Sequence, residues 1–571
     1  MSPDRLNRNR SVEFGKRELR IIVILTSEKN SMPDTPNQSR TSYDEVPYPS
    51  HPLPQTHPNH LAALAKLLDL DPPEPIECRI LELGCASGGN LIPMALTMPT
   101  CQFVGVDMSK EQIGQGQKTV DELGLSNIQL KQLGILDINE SFGQFDYIIC
   151  HGVYSWVPPE VQEKILEVCK LHLGNNGIGY VSFNTNPGWH MRGVIRKMMK
   201  FHVGRYPNDL PETQIQRARQ LLEFLAKLPA NQSNSYNALL QEQLQALSQH
   251  SDSYLFHEHL EEHNEPVWFF EFCERLAAHN LRYLADAEFD LMVAETSFSP
   301  EVQDELDHWA PQLLEKEQYM DFVRNRSFRQ ALVCHESQKP DYNIRANRIV
   351  GLSVASPLLP KNAHGESLES EASQGEFVGP DGLALSTSKP LVQAAFKILA
   401  SLWPSAIAFD ELVRKSRAQL TEEMGETISS ESSVTEHDSQ TLGSALLTSF
   451  ATAGGMVSLT MTTATITTTV SKFPVASQLV RIQVRDNGLV TNLRHEVVQL
   501  TPFDRHLLPL MDGTRDREAL LSGLVGLFET GELKITQEDD TKVDADAAKK
   551  ILEEVLDRQL PILAKSALLT S

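Results

Sequence analysis

Glu82, Gly84 and Gly88 fall in one short run, Arg79-Ile-Leu-Glu-Leu-Gly-Cys-Ala-Ser-Gly88, and Asp107 closes a second, Phe103-Val-Gly-Val-Asp107. Each run begins as an apolar strand. The first enters a turn of small residues, where backbone N–H groups can approach a ligand. The second ends in a carboxylate able to accept hydrogen bonds from a ribose diol. The glycine pattern separates two ligand classes. A dinucleotide fold uses G-x-G-x-x-G so that a helix start presses on a pyrophosphate. Here Glu82-x-Gly84-x-x-x-Gly88 has no such elbow, and an acid stands two residues before the first glycine. That acid repels a phosphate and attracts a cationic ligand bearing an amino group. The pattern selects S-adenosylmethionine over NAD.

The elements that must position these residues follow in order. Ile128 to Leu133 reads as a third strand, followed by Gly134-Ile-Leu-Asp137-Ile138, whose carboxylate is available to an adenine amino group. Phe145 to Cys150 gives a fourth strand running into His151-Gly-Val-Tyr154-Ser-Trp156. Val161 to Leu173 has helical apolar spacing, and Gly177 to Phe183 forms a fifth strand. Strands alternating with helices imply a parallel sheet that binds ligands at the strands' carboxyl ends. The order resembles the class I S-adenosylmethionine-dependent methyltransferases.

Length and composition set bounds. A chain of 571 residues holds roughly three to four domains. Its 41% hydrophobic and 22% charged content is that of an ordinary globular protein. The net charge of −24 argues against a nucleic-acid partner, which would call for a basic footprint. The basic stretch Met191 to Lys200 reads as an exposed helix face beside Val194, Ile195 and Met198. Seven cysteines occur without any C-x-x-C pair, suggesting a reducing compartment and no structural zinc. His259 and His263 would share a helix face, but the spacing is not H-E-x-x-H and no third ligand is evident, so no metal is expected. The apolar run Ile21 to Leu25 is far below the ~20 residues a membrane span requires. A cytoplasmic protein without membrane insertion is expected.

Residues 1–40 read as a disordered tail and 41–205 as the methyltransferase domain. In the proline-rich lead-in, Tyr43 and Tyr48 could cover a sulfonium with their aromatic faces, or simply pack as a linker. Residues 206–350 carry long helical patterns and read as an all-helical middle domain. Residues 351–382 read as a linker, and 383–571 as a winged-helix-like α+β domain with a flexible loop at 421–440. Within the last domain, the β-branched run Met456 to Val470 is expected to form strands.

Several runs resemble one subgroup more closely. They include the lead-in at 43–49, Leu-Glu-Leu-Gly-Cys-Ala-Ser-Gly-Gly-Asn at 81–90, His-Gly-Val-Tyr-Ser-Trp-Val at 151–157 and Asn-Pro-Gly-Trp at 186–189. Further runs at 254–258, 282–287, 318–330 and 502–509 extend the likeness over nearly everything from residue 41 onward. The sequence resembles bacterial methyltransferases with a methyltransferase regulatory domain, related to the rickettsial protein-lysine methyltransferases of outer-membrane proteins. That resemblance implies cofactor contacts from Glu82, Gly84, Ala86, Gly88, Asn90, Asp107, Met108, Asp137, Ile138 and Tyr43. Glu82 and Gly84 would hold the methionine part, Asp107 the ribose and Asp137 the adenine. His151 and Tyr154 are the acceptor-side candidates, set against packing roles for both. The implied substrate is a protein with accessible lysines, outer-membrane proteins included. Small-molecule N- or O-methylation and a non-catalytic cofactor-binding scaffold remain the alternatives. The sequence leaves the oligomeric state open.

Overall fold

The computed structural model describes residues 19–22, 50–227, 235–293, 297–361, 375–380, 382–423, 435–452, 455–463, 466–486, 488–537 and 544–571. The chain divides into two compact units, one built mainly from residues 64–342 and the other mainly from 343–571.

The first unit is organised by a seven-stranded sheet. Its strands are β1 (Arg79–Leu83), β2 (Gln102–Asp107), β3 (Ile128–Gln132), β4 (Phe145–Cys150), β5 (Leu173–Asn184), β6 (Leu281–Asp286) and β7 (Phe328–His335). The spatial order is β3-β2-β1-β4-β5-β7-β6. The first five run parallel, while β7 is antiparallel to both β5 and β6. The expected Rossmann-like core is present, and the strand order reverses beside β1, where such sheets open a ligand crevice. One sheet face buries Leu81, Leu83, Val106, Ile148 and Phe183 against Ile165 and Leu166 of the helix Pro159–His172, and Phe269 and Phe272 of the helix Phe269–Ala278.

Two strands correct the all-helical reading of 206–350. Helices do fill its first part: Pro211–Ala226 and Ser235–Ser248 bury Ile215, Leu222 and Leu240 against Ile195 and Met199. The chain then returns to the sheet as β6 and β7. Both strands are buried nearly throughout, so neither shows the alternation that marks a half-exposed strand.

β7 is fixed by a buried ionic cluster. Arg329 donates to Glu317 Oε2 at 2.9 Å and to both Asp321 carboxylate oxygens at 2.9 and 2.8 Å. Arg326 donates to Asp286 Oδ2 at 2.6 Å. Removing one member of such a set costs about 3–5 kcal/mol because its partners are left charged and buried. The cluster ties the helix Leu313–Arg324 to β6 and β7.

The second unit also departs from expectation. The stretch 351–382 is not simply a linker: Ser353–Ala355 is the central strand between Ile407–Ala408 and Ser458–Thr460. Of the β-branched run 456–470, only Ser458–Thr460 is a strand among the described residues, because only those residues meet a partner backbone. Helices Phe409–Glu423 and Glu436–Phe450 enter the expected loop 421–440 from both sides, and its middle lies outside the described residues. A separate core then joins Val480, Leu507, Leu520, Leu556 and Leu563. Within the expected disordered tail, Leu19–Ile22 pairs antiparallel with Lys534–Gln537; the rest of 1–40 lies outside the described residues.

Candidate active site

Every acid singled out at a strand end stands at the carboxyl edge of the sheet. After β1 the chain turns through Gly84 (φ 73°), Ala86 (φ 49°) and Gly88 (φ 75°). Glycine is required at 84: a Cβ there would lie 2.4 Å from Val153 Cγ2, on a backbone that already disfavours side chains. The turn wraps the end of β2. Ala86 N–H donates to Asp107 Oδ2 at 2.9 Å and Ser109 N–H to Oδ1 at 2.8 Å. Ser109 also accepts from Gln112 N–H and so starts the next helix, Lys110–Leu123.

Glu82 is 4% exposed. Its Oε1 accepts from Asn90 Nδ2 at 2.8 Å, while the buried Oε2 has no hydrogen-bond partner. Burial raises its pKa to about 7; the Asn90 hydrogen bond opposes that shift and the Asp107 charge adds to it. An unpaired carboxylate oxygen facing a turn of small residues fits a ligand ammonium group. Asn90 thus acts on the site by orienting Glu82, and Ala86 by orienting Asp107. Gly89 N–H donates to Ser50 Oγ at 2.8 Å, bringing to the turn a residue that no local motif announces.

Of the residues expected at the adenine, Asp137 ends the short turn Ile135–Asp137 and is exposed, as is Met108 at 65%. Ile138 is different. Its side chain is buried in the hydrophobic core, and its N–H already donates to Ile135 O. It supports the turn rather than presenting a side chain to a ligand. Tyr43 lies outside the described residues, as does Tyr48.

The two acceptor-side candidates separate. Tyr154 is wholly buried, packed edge-on against Phe183 and Phe272, and its hydroxyl accepts from Arg275 at 3.3 Å. Its ring lies in the hydrophobic core, which favours the packing role over the acceptor-side one. His151 is half-buried and stays the acceptor-side candidate. Its Nδ1 lies 2.8 Å from Tyr180 Oη, and burial lowers its pKa to about 4. Strand register relates it to Glu82: Glu82 pairs with Ile149, and Ile149 with Tyr180. Paired residues in parallel strands share a face, and His151 continues that face two residues beyond Ile149.

The remaining sequence signals are structural. Arg196 and Lys200, in the basic stretch, donate to backbone oxygens of Glu258, Glu261 and Glu262, while Val194 is exposed rather than packed. His259 belongs to the single turn Phe256–Leu260, which ends before His263, and no metal-binding cluster occurs among the described residues. No described helix is long and apolar enough to cross a membrane.

Comparison with known proteins agrees with this architecture. Three family models match: "Methyltransferase domain" over residues 81–178, "Predicted methyltransferase regulatory domain" over 251–335, and "PKMT, C-terminal winged helix domain" over 473–568. Protein RP789 of Rickettsia prowazekii is 35% identical over 532 residues, covering 92% of this chain and 93% of its own. Protein RP028 of the same organism is 44% identical over 237 residues, 42% of this chain and 94% of its own. The solved structure of PKMT2 from Rickettsia typhi in complex with AdoHcy superposes with a TM-score of 0.79 at 29% identity, covering 92% of this chain and 100% of that one. The match reaches from the methyltransferase sheet through the regulatory strands to the winged helix. The chain thus belongs to the class I S-adenosylmethionine-dependent methyltransferases that carry a methyltransferase regulatory domain and are related to the rickettsial protein-lysine methyltransferases.

Proposed function

We propose that this methyltransferase modifies the side-chain amines of lysines in protein acceptors. The observation that carries the reading is the end-to-end likeness to PKMT2 of Rickettsia typhi, accessory regions included. A small-molecule enzyme needs only a closed pocket, whereas this chain devotes most of its length to regions beyond the cofactor turn.

When bound, S-adenosylmethionine supplies an electrophilic methyl group on its sulfonium. Glu82 Oε2 would receive the ammonium of its methionine part, with Asn90 holding the other oxygen. Asp107 would take the ribose hydroxyls, its carboxylate held by the Ala86 and Ser109 N–H groups. Asp137 and Met108 would border the adenine. Orienting the two reactants can supply about 7–11 kcal/mol of the barrier.

A lysine amine must lose its proton before it can attack. Burial lowers the pKa of His151 to about 4, far below that of an ordinary lysine ammonium. His151 therefore does not hold that proton. It stays neutral and accepts a hydrogen bond from an amine that has already lost its proton to solvent, aligning the nitrogen lone pair.

The test is incubation of the purified protein with methyl-labelled S-adenosylmethionine and lysine-rich proteins, outer-membrane proteins among them. Mass spectrometry should place the label on lysine Nζ. Label found only on metabolites, with protein lysines untouched, would overturn the lysine reading.

A further inference from the structure

His151 is not held alone. Its Nδ1 meets Tyr180 Oη at 2.8 Å, and Tyr180 Oη donates to Gln330 Oε1 at 2.8 Å. Tyr180 is fully buried and Gln330 is 3% exposed, so water does not substitute for either contact. A phenol carries one hydrogen. With that hydrogen committed to Gln330, the oxygen can only accept from the imidazole, which places the His151 proton on Nδ1 and leaves Nε2 as a lone-pair acceptor.

The strand pattern explains why these residues meet. Tyr180 and Ser182 alternate onto one face of β5, and Gln330 of β7 pairs with Ser182, making Gln330 the diagonal neighbour of Tyr180. Ser182 Oγ accepts from Gly152 N–H at 2.8 Å, so two successive side chains of this face hold the loop after β4. Phe328, two residues before Gln330, places its ring 5.8 Å from the imidazole and limits its rotation.

We propose that Tyr180 and Gln330 are positioning residues for methyl transfer, setting the tautomer of His151 so that Nε2 accepts from the acceptor amine. The assignment rests on the amine-side role of His151 given above. It also gives the regulatory region a direct part in the reaction, because Gln330 lies within residues 251–335.

The relay makes an unequal prediction for its two members. In Gln330→Leu the Tyr180 hydrogen loses its acceptor and turns to Nδ1, driving the proton to Nε2, which then faces the amine as a donor. In Tyr180→Phe the imidazole is merely released and populates both tautomers. Gln330→Leu should therefore lower kcat more than Tyr180→Phe, the latter by about tenfold, the size of one net hydrogen bond. Gln330→Glu keeps an acceptor oxygen and should restore most of the rate. Affinity for S-adenosylmethionine should stay within about twofold throughout, a change of about 0.4 kcal/mol, because the relay acts on the acceptor amine.

The experiment combines steady-state kinetics on a lysine-rich acceptor with nitrogen-15 NMR of the full-length protein. The His151 signal is identified by its loss in His151→Gln. An Nδ1–H tautomer in the wild type that shifts to Nε2–H in Gln330→Leu, with kcat falling in the stated order, supports the relay. An unchanged tautomer in folded Tyr180→Phe and Gln330→Leu proteins overturns it, whatever the rates. A tautomer that shifts while those variants and His151→Gln all keep the wild-type rate overturns instead the role of His151 on which the proposal rests.

Discussion

Replacing Glu82 by Gln should act on cofactor affinity and on pH-dependent stability in ways that no packing role predicts. The wild-type carboxyl titrates near 7 because it is buried, with Oε2 unpaired. A ligand ammonium requires the ionised form. The ionised fraction is roughly 3% at pH 5.5 and one half at pH 7, so affinity for S-adenosylmethionine should rise about fifteenfold across that interval. Both values lie below the range near 8 where the ligand's own amine titrates. Glu82→Gln keeps an oxygen for Asn90 but loses the charged contact, worth about 1.5–3 kcal/mol. Its affinity at pH 7 should be roughly 10- to 150-fold weaker, with most of the pH slope gone. The stability effect follows from the sign of the shift. A carboxyl raised in the folded state from 4.5 to about 7 contributes stability that is present below pH 4.5 and lost as pH rises through 7. Relative to Glu82→Gln, the ligand-free wild type should lose about 3 kcal/mol over that window. Calorimetric titration at the two pH values and denaturant unfolding from pH 4.5 to 8 measure both effects. A Glu82→Gln protein with wild-type affinity and an unchanged pH slope would refute the ammonium contact. A stability difference that stays constant with pH would refute the buried, shifted carboxyl.

Other substitutions probe the remaining assignments. Asp107→Asn should weaken cofactor binding about 10- to 100-fold by calorimetry while the protein stays folded; unchanged affinity would remove Asp107 from the site. Tyr154→Phe deletes only a buried hydroxyl held by Arg275, so it should cost about 1 kcal/mol in urea unfolding and leave kcat at the wild-type value; a large fall in kcat would return Tyr154 to the reaction. A chain truncated after Arg205 loses β6 and β7 and exposes the long edge of β5; it should fail to give a soluble cofactor-binding protein, and a folded, active product would contradict the role given to the regulatory strands. With a net charge of −24, attraction of lysine-rich acceptors should weaken as salt shortens the screening length to about 8 Å near physiological ionic strength. Initial rates at sub-saturating acceptor should fall accordingly, and rates indifferent to salt would exclude charge steering.

The sequence by itself determined the local parts of this protein. Strand ends, the small-residue turn and the carboxylates at positions 82, 107 and 137 depend on neighbours within a few residues, so apolar runs and turn residues announce them. Tertiary structure decided what those parts touch. β6 and β7 are buried on both faces and show no alternation, which hid two strands inside a helical reading. Tyr154 and His151 lie three residues apart on one loop, yet one ring enters the core and the other stays half-buried; only packing against Phe272 and Tyr180 separates them. Gln330 reaches Tyr180 across 150 residues of sequence, and Ser50 reaches Gly89 across 39. Hydrogen-bond partners and burial, and with them the raised carboxyl of Glu82 and the tautomer of His151, arise only when distant segments share a sheet face. No spacing rule along the chain encodes such a meeting.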